Sequence, residues 1–253
     1  MNANEQHALT KVPEITLLFW LMKIAATTLG ETGGDAVSMS LNLGYLVSTG
    51  VFAAVFIVAV IIQIGAKRFH PMIYWMTIIA TTTVGTTLAD FADRSLGIGY
   101  LGGSTLLLVL LLASLGIWYR SIGSVSVETV STPKAEVFYW VTIMFSQTLG
   151  TALGDWTADT AGLGYDGGVI IFSVLLLLLV AAHFWTQISR TALFWAAFIL
   201  TRPLGAVLGD LLDKPVTHGG LALSRFTASA ALILFILTCI VMFQHRPATQ
   251  SNH

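Results

Sequence analysis

Cysteine is almost missing. The chain has one, Cys239, and it lies inside an apolar run. This excludes a disulfide within the chain and a thiolate metal site, which needs several sulfur ligands. Charge is also scarce, at 10% of residues, where soluble domains carry about 25%. Net charge is −1 and no basic cluster occurs, so no nucleic-acid partner is expected. Absent too are a P-loop, an HExxH, a CxxC and a Ser-His-Asp spacing. The segments between apolar runs are about 5 to 15 residues, too short for a soluble catalytic domain. The sequence therefore predicts a protein that is not an enzyme and has no covalently bound cofactor.

What is present is apolar. Hydrophobic residues make up 55% of the chain and the mean hydropathy is +0.81. A membrane-crossing helix needs about 20 such residues. Eight predicted spans satisfy this, at 14–35, 44–64, 72–92, 100–119, 137–157, 165–186, 191–212 and 221–243. The fold expected is all-α: a polytopic membrane protein in which residues 14–243 form one membrane domain. Residues 1–13 and 244–253 read as tails. Lys and Arg orient the spans by the positive-inside rule. With both termini in the cytoplasm, Lys11, Lys67, Arg68, Arg120, Lys134, Arg190 and Arg246 fall inside, and only Arg94, Lys214 and Arg225 fall outside. Lys23 and Arg202 lie within spans.

An internal repeat organises these spans. Four glycines, Gly30, Gly85, Gly150 and Gly205, are each preceded ten residues earlier by a tryptophan (Trp20, Trp75, Trp140, Trp195). Five residues after each glycine comes an aspartate: Asp35, Asp90, Asp155 and Asp210. Nine further on comes another glycine: Gly44, Gly99, Gly164 and Gly219. The repeats cover about 14–68, 69–119, 135–188 and 189–243, with a polar linker at 120–134 between the second and third. Two spans per repeat is an even number, so the four copies are parallel and have 2+2 pseudo-symmetry. The tryptophans, at the inner start of each odd span, read as an interfacial aromatic belt. The repeat glycines read either as close-packing positions or as helix interruptions that turn carbonyls toward an ion.

This W-x9-G-x4-D pattern, over residues 14–243, resembles a family of bacterial integral membrane proteins defined by a tandem two-span repeat of unknown function. The resemblance implies a bacterial inner-membrane location and no established chemistry. TLGETGGD (28–35) also resembles, over eight residues, the acidic Glu-x-Gly-Asp signature of manganese and calcium transporters. It departs from that signature by an extra glycine and by Ala36, where that family has Lys or Arg.

Function must then come from the residues. On a helix, positions four and seven before the aspartate share its face. These are Glu31 and Thr28, Thr86 and Thr83, and Thr151 and Thr148, whereas the fourth repeat has Ala206 and Pro203. One turn beyond the aspartates lie Asp93, Asp159 and Asp213. These second acids read as either part of the site or solvated residues past the span. A carboxylate within a span is costly and faces a cavity or a partner. Oxygen ligands suit Mg²⁺, Ca²⁺, Mn²⁺ or a proton. The expectation is a transporter or exporter of a hard cation, Mn²⁺ foremost, moved either alone or in exchange for protons. Glu31, Asp35, Asp90, Asp155 and Asp210 would hold the cation, with Asp93, Asp159 and Asp213 at the rim. Thr28, Thr83, Thr148, Gln147, Thr86 and Thr151 would give neutral oxygens, and Lys23 and Arg202 would serve as internal countercharges. The alternatives are a scaffold or sensor whose acids only tie helices together, and a carrier of a small organic cation held by Tyr45, Phe91, Tyr100, Trp156 and Tyr165. Partners beyond the lipid bilayer and the cation are undefined, and a homo-oligomer remains open.

Overall fold

The computed structural model describes residues 10–248. Among these the chain is all-α, with eight long helices: α1 (Leu17–Asp35), α2 (Gly44–Gly65), α3 (Pro71–Asp90), α4 (Tyr100–Ile122), α5 (Pro133–Asp155), α6 (Gly164–Trp185), α7 (Arg190–Asp213) and α8 (Arg225–Met242). Each lies within four residues of a predicted span at both ends. Six are long and apolar enough to cross a membrane, α1 and α5 being the exceptions.

The reason for that exception is the packing order. Helices α1, α3, α5 and α7 form a closed ring, each packing on the next and α7 returning to α1. The even helices lie outside it, α2 on α3, α4 on α5, α6 on α7 and α8 on α1. In the apolar windows of α3 and α7, 72% and 67% of residues are buried, against 6%, 28%, 11% and 17% in α2, α4, α6 and α8. Ring helices are covered by protein and can carry polar groups, whereas outer helices must present apolar surface.

The repeat glycines set the ring's spacing. A Cβ on Gly85 would lie 3.0 Å from the backbone of Gln147 and Thr148 in α5. One on Gly30 would collide with Thr82, on Gly150 with Arg202 and on Gly205 with Thr27. Thr27, Thr82, Gln147 and Arg202 each stand three residues before their own repeat glycine. The contact is therefore the same at all four junctions, a knob on one helix seated in the glycine notch of its predecessor. The helices run unbroken through these glycines, so close packing is their role and not interruption. The second set differs. Gly44, Gly99, Gly164 and Gly219 have φ of +73°, +74°, +66° and +85°, left-handed values that side chains resist, and they turn the chain out of each ring helix.

Three ring helices end in a widened, π-helical turn directly after the repeat aspartate, at Ala36–Ser40, Phe91–Ser95 and Trp156–Thr160. The fourth has none. There α7 continues to Asp213 and Pro215 follows.

At the opposite end the ring is plugged with aromatics. Trp75, Trp140 and Trp195 are buried, so they do not form the expected interfacial belt; only Trp20 is partly exposed. Tyr74 and Tyr139 share a hydroxyl hydrogen bond of 2.7 Å. Trp118 of α4 stands edge-on to Trp195 at 5.8 Å. The segment expected to be a polar linker packs beneath this plug. Val127 and Val130 are buried, and Trp195 Nε1 donates to the Val125 carbonyl at 2.9 Å. The described parts of the two tails are also fixed here. Pro13 and Pro247 form an antiparallel bridge, and Lys11 pairs with buried Glu136 at 2.7 Å. Residues 1–9 and 249–253 of the predicted tails lie outside the described residues.

Gly85→Ala should lower thermal stability in detergent by about 1–3 kcal/mol through overpacking against a backbone that cannot yield. Gly116→Ala, which meets nothing within 4 Å, should leave the unfolding midpoint unchanged or slightly higher.

Candidate acidic site at one end of the helix ring

Because the repeats are parallel in the ring, like positions meet at like depth, and they stack along the axis in steps of four residues. From the aromatic plug upward the layers are Lys23, Ile78, Ile143 and Phe198; then Thr27, Thr82, Gln147 and Arg202; then Glu31, Thr86, Thr151 and Ala206; then the four repeat aspartates. All four aspartates and Glu31 are at most 3% exposed.

Each aspartate has a cation, and the cations come from alternate repeats. Arg94 Nε lies 3.1 Å from Asp90 Oδ1, and its Nη2 lies 3.2 Å from Asp155 Oδ2 on the next ring helix. Lys214 does the equivalent in the fourth repeat: Nζ is 3.0 Å from Asp210 Oδ1 and bonds Asp35 Oδ2 across the ring closure. Both stand four residues after their own aspartate, where Met39 and Asp159 stand in the other two repeats. Arg225 of α8 reaches Asp213 Oδ2 at 2.8 Å and Asp35 Oδ2 at 3.7 Å. Lys214 lies just past α7. Burial alone would lower its pKa, but Asp210, Asp35 and Asp213 outweigh this and hold it well above the ordinary lysine range.

Glu31 is neutralised from inside the ring. Arg202 Nη2 lies 3.0 Å from Glu31 Oε2 and also meets the hydroxyls of Thr86 and Thr151. Thr86 in turn donates to Glu31 Oε2 at 3.2 Å. Arg202 is thus paired with one of the predicted acids. Lys23 is not: its Nζ sits 4.1 Å from the centre of the Phe198 ring and has no hydrogen-bond partner among the described residues. Both polar atoms of the Gln147 side chain are likewise buried without a partner.

The predicted residues divide accordingly. Asp35, Asp210 and Glu31 come together, each offering one carboxylate oxygen within 4.8 Å of the others. Asp90 and Asp155 meet at Arg94 on the other side. Asp213 joins the Lys214–Arg225 network, whereas Asp159 is exposed and accepts a 3.3 Å hydrogen bond from Tyr100. Asp93 turns away from the axis, against Gly103 of α4. Thr28, Thr83 and Thr148 make no side-chain hydrogen bond to the acids among the described residues. Their hydroxyls donate to carbonyls one turn back in their own helices, Ile24, Ile79 and Met144. Among the aromatics near the acids, the Tyr45 hydroxyl accepts from Arg94 Nη1 at 3.4 Å. Tyr100 lies 6.0 Å beneath the same guanidinium.

Arg94 and Lys214 are the functional candidates that sequence reading missed. The signal was present as Asp-x3-Arg and Asp-x3-Lys, the i,i+4 spacing that pairs opposite charges on one helix face. Treating both as loop charges that set orientation hid it.

Lys214→Met should destabilise the protein by about 3 kcal/mol near neutral pH, because it strands two buried carboxylates. The raised lysine pKa means that this pairing persists from neutrality up through the ordinary lysine range. The deficit should therefore stay undiminished as the pH rises from neutrality toward the ordinary lysine range, where an unpaired lysine would begin to lose its charge. Thermal midpoints of both proteins between pH 7 and about pH 10 check this.

No curated protein and no solved structure matches the chain. A family model described as Repeat of Unknown Function (DUF347) matches four times in tandem, over residues 18–69, 73–124, 138–189 and 193–249. These units coincide with the helix pairs α1–α2, α3–α4, α5–α6 and α7–α8, and the chain belongs to that family.

Proposed function

We propose that this protein transports a hard cation, Mn²⁺ foremost, across the bacterial inner membrane and exchanges it for protons. In this reading all eight helices span the bilayer, both termini are cytoplasmic and the acidic end faces outward. The observation that carries the reading is the buried trio of Glu31, Asp35 and Asp210, with one oxygen each within 4.8 Å. Such an oxygen cluster suits Mn²⁺, Mg²⁺ or Ca²⁺.

Charge supports it. Glu31, Asp35 and Asp210 bring three negative charges, to which Arg202 and Lys214 answer with two. Asp90 and Asp155 bring two against Arg94 alone. Arg225 adds a longer contact to Asp35, but its closer partner is Asp213. Buried carboxylates in excess of cations call for a proton or a metal ion.

Lys214 is then the resident competitor. Its ammonium holds Asp35 and Asp210 when no metal is bound. It sits at the end of α7 with its side chain 12% exposed, so it can withdraw toward solvent as a cation enters. Its return would help expel the ion. Arg94 plays the matching part at Asp90 and Asp155, and this alternation of capped repeats supports a 2+2 symmetry. Passage to the other side requires the Tyr74–Tyr139 plug to open.

A second reading rests on a specific observation: Arg94 and Lys214 each join consecutive repeats, as they would in a scaffold whose acids serve only to hold the ring.

Equilibrium binding of Mn²⁺ to the purified chain separates the two. Asp210→Asn and Glu31→Gln should each weaken binding about tenfold or more by removing a charged ligand, while Asp159→Asn leaves it unchanged. Lys214→Met should tighten it, since the competitor is gone. Wild-type protein that binds no divalent cation, or an Asp210→Asn variant that binds as wild type does, supports the scaffold instead.

A further inference from the structure

The fourfold pattern is broken at the aromatic end. Trp75, Trp140 and Trp195 are buried, but Trp20 is partly exposed because it borders a cavity of about 580 Å³ between α1, α6 and α7. The walls are apolar, with Trp20, Leu176, Phe184 and Phe194 among them, and the cavity extends from Arg190 at the start of α7 to Thr201. Eleven residues of helix rise about 16 Å. That is half of the roughly 30 Å hydrocarbon core of a bilayer, the depth of one leaflet.

The charged end of the cavity is equally specific. Arg190 and Glu128 both border it, together with His183 and Thr191. Arg190 donates to the His183 carbonyl at the rim, and a guanidinium has further N–H groups to offer. Neither Arg190 nor Glu128 takes part in the ion pairs found among the described residues. A guanidinium matches a phosphate, and a carboxylate lining the same cavity matches an ammonium.

We propose that this cavity is a binding site for one zwitterionic, amine-bearing phospholipid from the leaflet at the aromatic end. One acyl chain fills the cavity as far as Thr201. The lipid phosphate lies on Arg190 and its ammonium on Glu128. The lipid thereby completes the wall that protein supplies in the other three repeats, and it braces the Ser126–Glu128 segment beneath the aromatic plug. The site is separate from the acidic end and needs no transport activity.

Native mass spectrometry of the detergent-solubilised full chain tests this, with phosphatidylethanolamine and phosphatidylglycerol of identical acyl chains as the probes. Wild type should retain one phosphatidylethanolamine about tenfold more tightly than phosphatidylglycerol. Glu128→Gln should erase that preference, Arg190→Ala should weaken both lipids, and Ala197→Phe, which fills the cavity away from the charges, should abolish retention. Retention by Ala197→Phe equal to wild type overturns the acyl-chain site. Equal affinity for the two lipids in wild type, or a preference unaffected by Glu128→Gln, overturns the headgroup assignment.

Discussion

The structure depends on the close approach of four parallel helices at their repeat glycines. With no Cβ at Gly30, Gly85, Gly150 and Gly205, each ring helix seats against a side chain or the backbone of the next. In lipid, where burial of apolar surface does not itself drive helices together, such notches supply the packing that holds a bundle. Parallel packing has an electrostatic consequence: it brings four aspartates and Glu31, all buried, to one end of the ring. Those carboxylates repel one another unless cations or protons join them. The chain supplies Arg94 and Lys214 for the aspartates and Arg202 for Glu31, which leaves negative charge in excess.

Symmetry and its violations divide the labour. Trp, Gly, Asp and the turn glycine occur in all four repeats and build the ring, the acidic end and the hairpins. The departures are chemical. Glu31 occurs only in repeat 1, Arg202 only in repeat 4, and they meet because the ring closes between those two. The capping cation occurs in repeats 2 and 4 and bridges onward to repeats 3 and 1. Proline at 215 replaces the widened turn that follows the aspartate elsewhere, and it sets Lys214 at the helix end beside Asp35 and Asp210.

Much of this was legible in the sequence. The eight helices, the four repeats and the parallel sense follow from hydropathy and the W-x9-G-x4-D spacing, and the Glu31–Asp35 pairing follows from helical period. What sequence could not supply was which repeat neighbours which, and so that Glu31 meets Arg202 rather than Lys23. The tryptophans misled because an aromatic at the end of an apolar helix suits a lipid interface and a protein interior alike; only the ring shows that three of them face inward. The segment 120–134 misled through its polarity, although Val125, Val127 and Val130 supply what packs beneath the plug.

The central claim is that a cation replaces Lys214 among Glu31, Asp35 and Asp210 and that protons move in exchange. The most direct measurement is Mn²⁺ flux into proteoliposomes of the purified full chain, followed with a metal-sensing dye and a pH-sensing dye inside the same vesicles. The account predicts saturable Mn²⁺ movement accompanied by opposite proton movement, both lost in Asp210→Asn. Vesicles that behave like protein-free liposomes in both channels, while the protein in them remains folded, would contradict it.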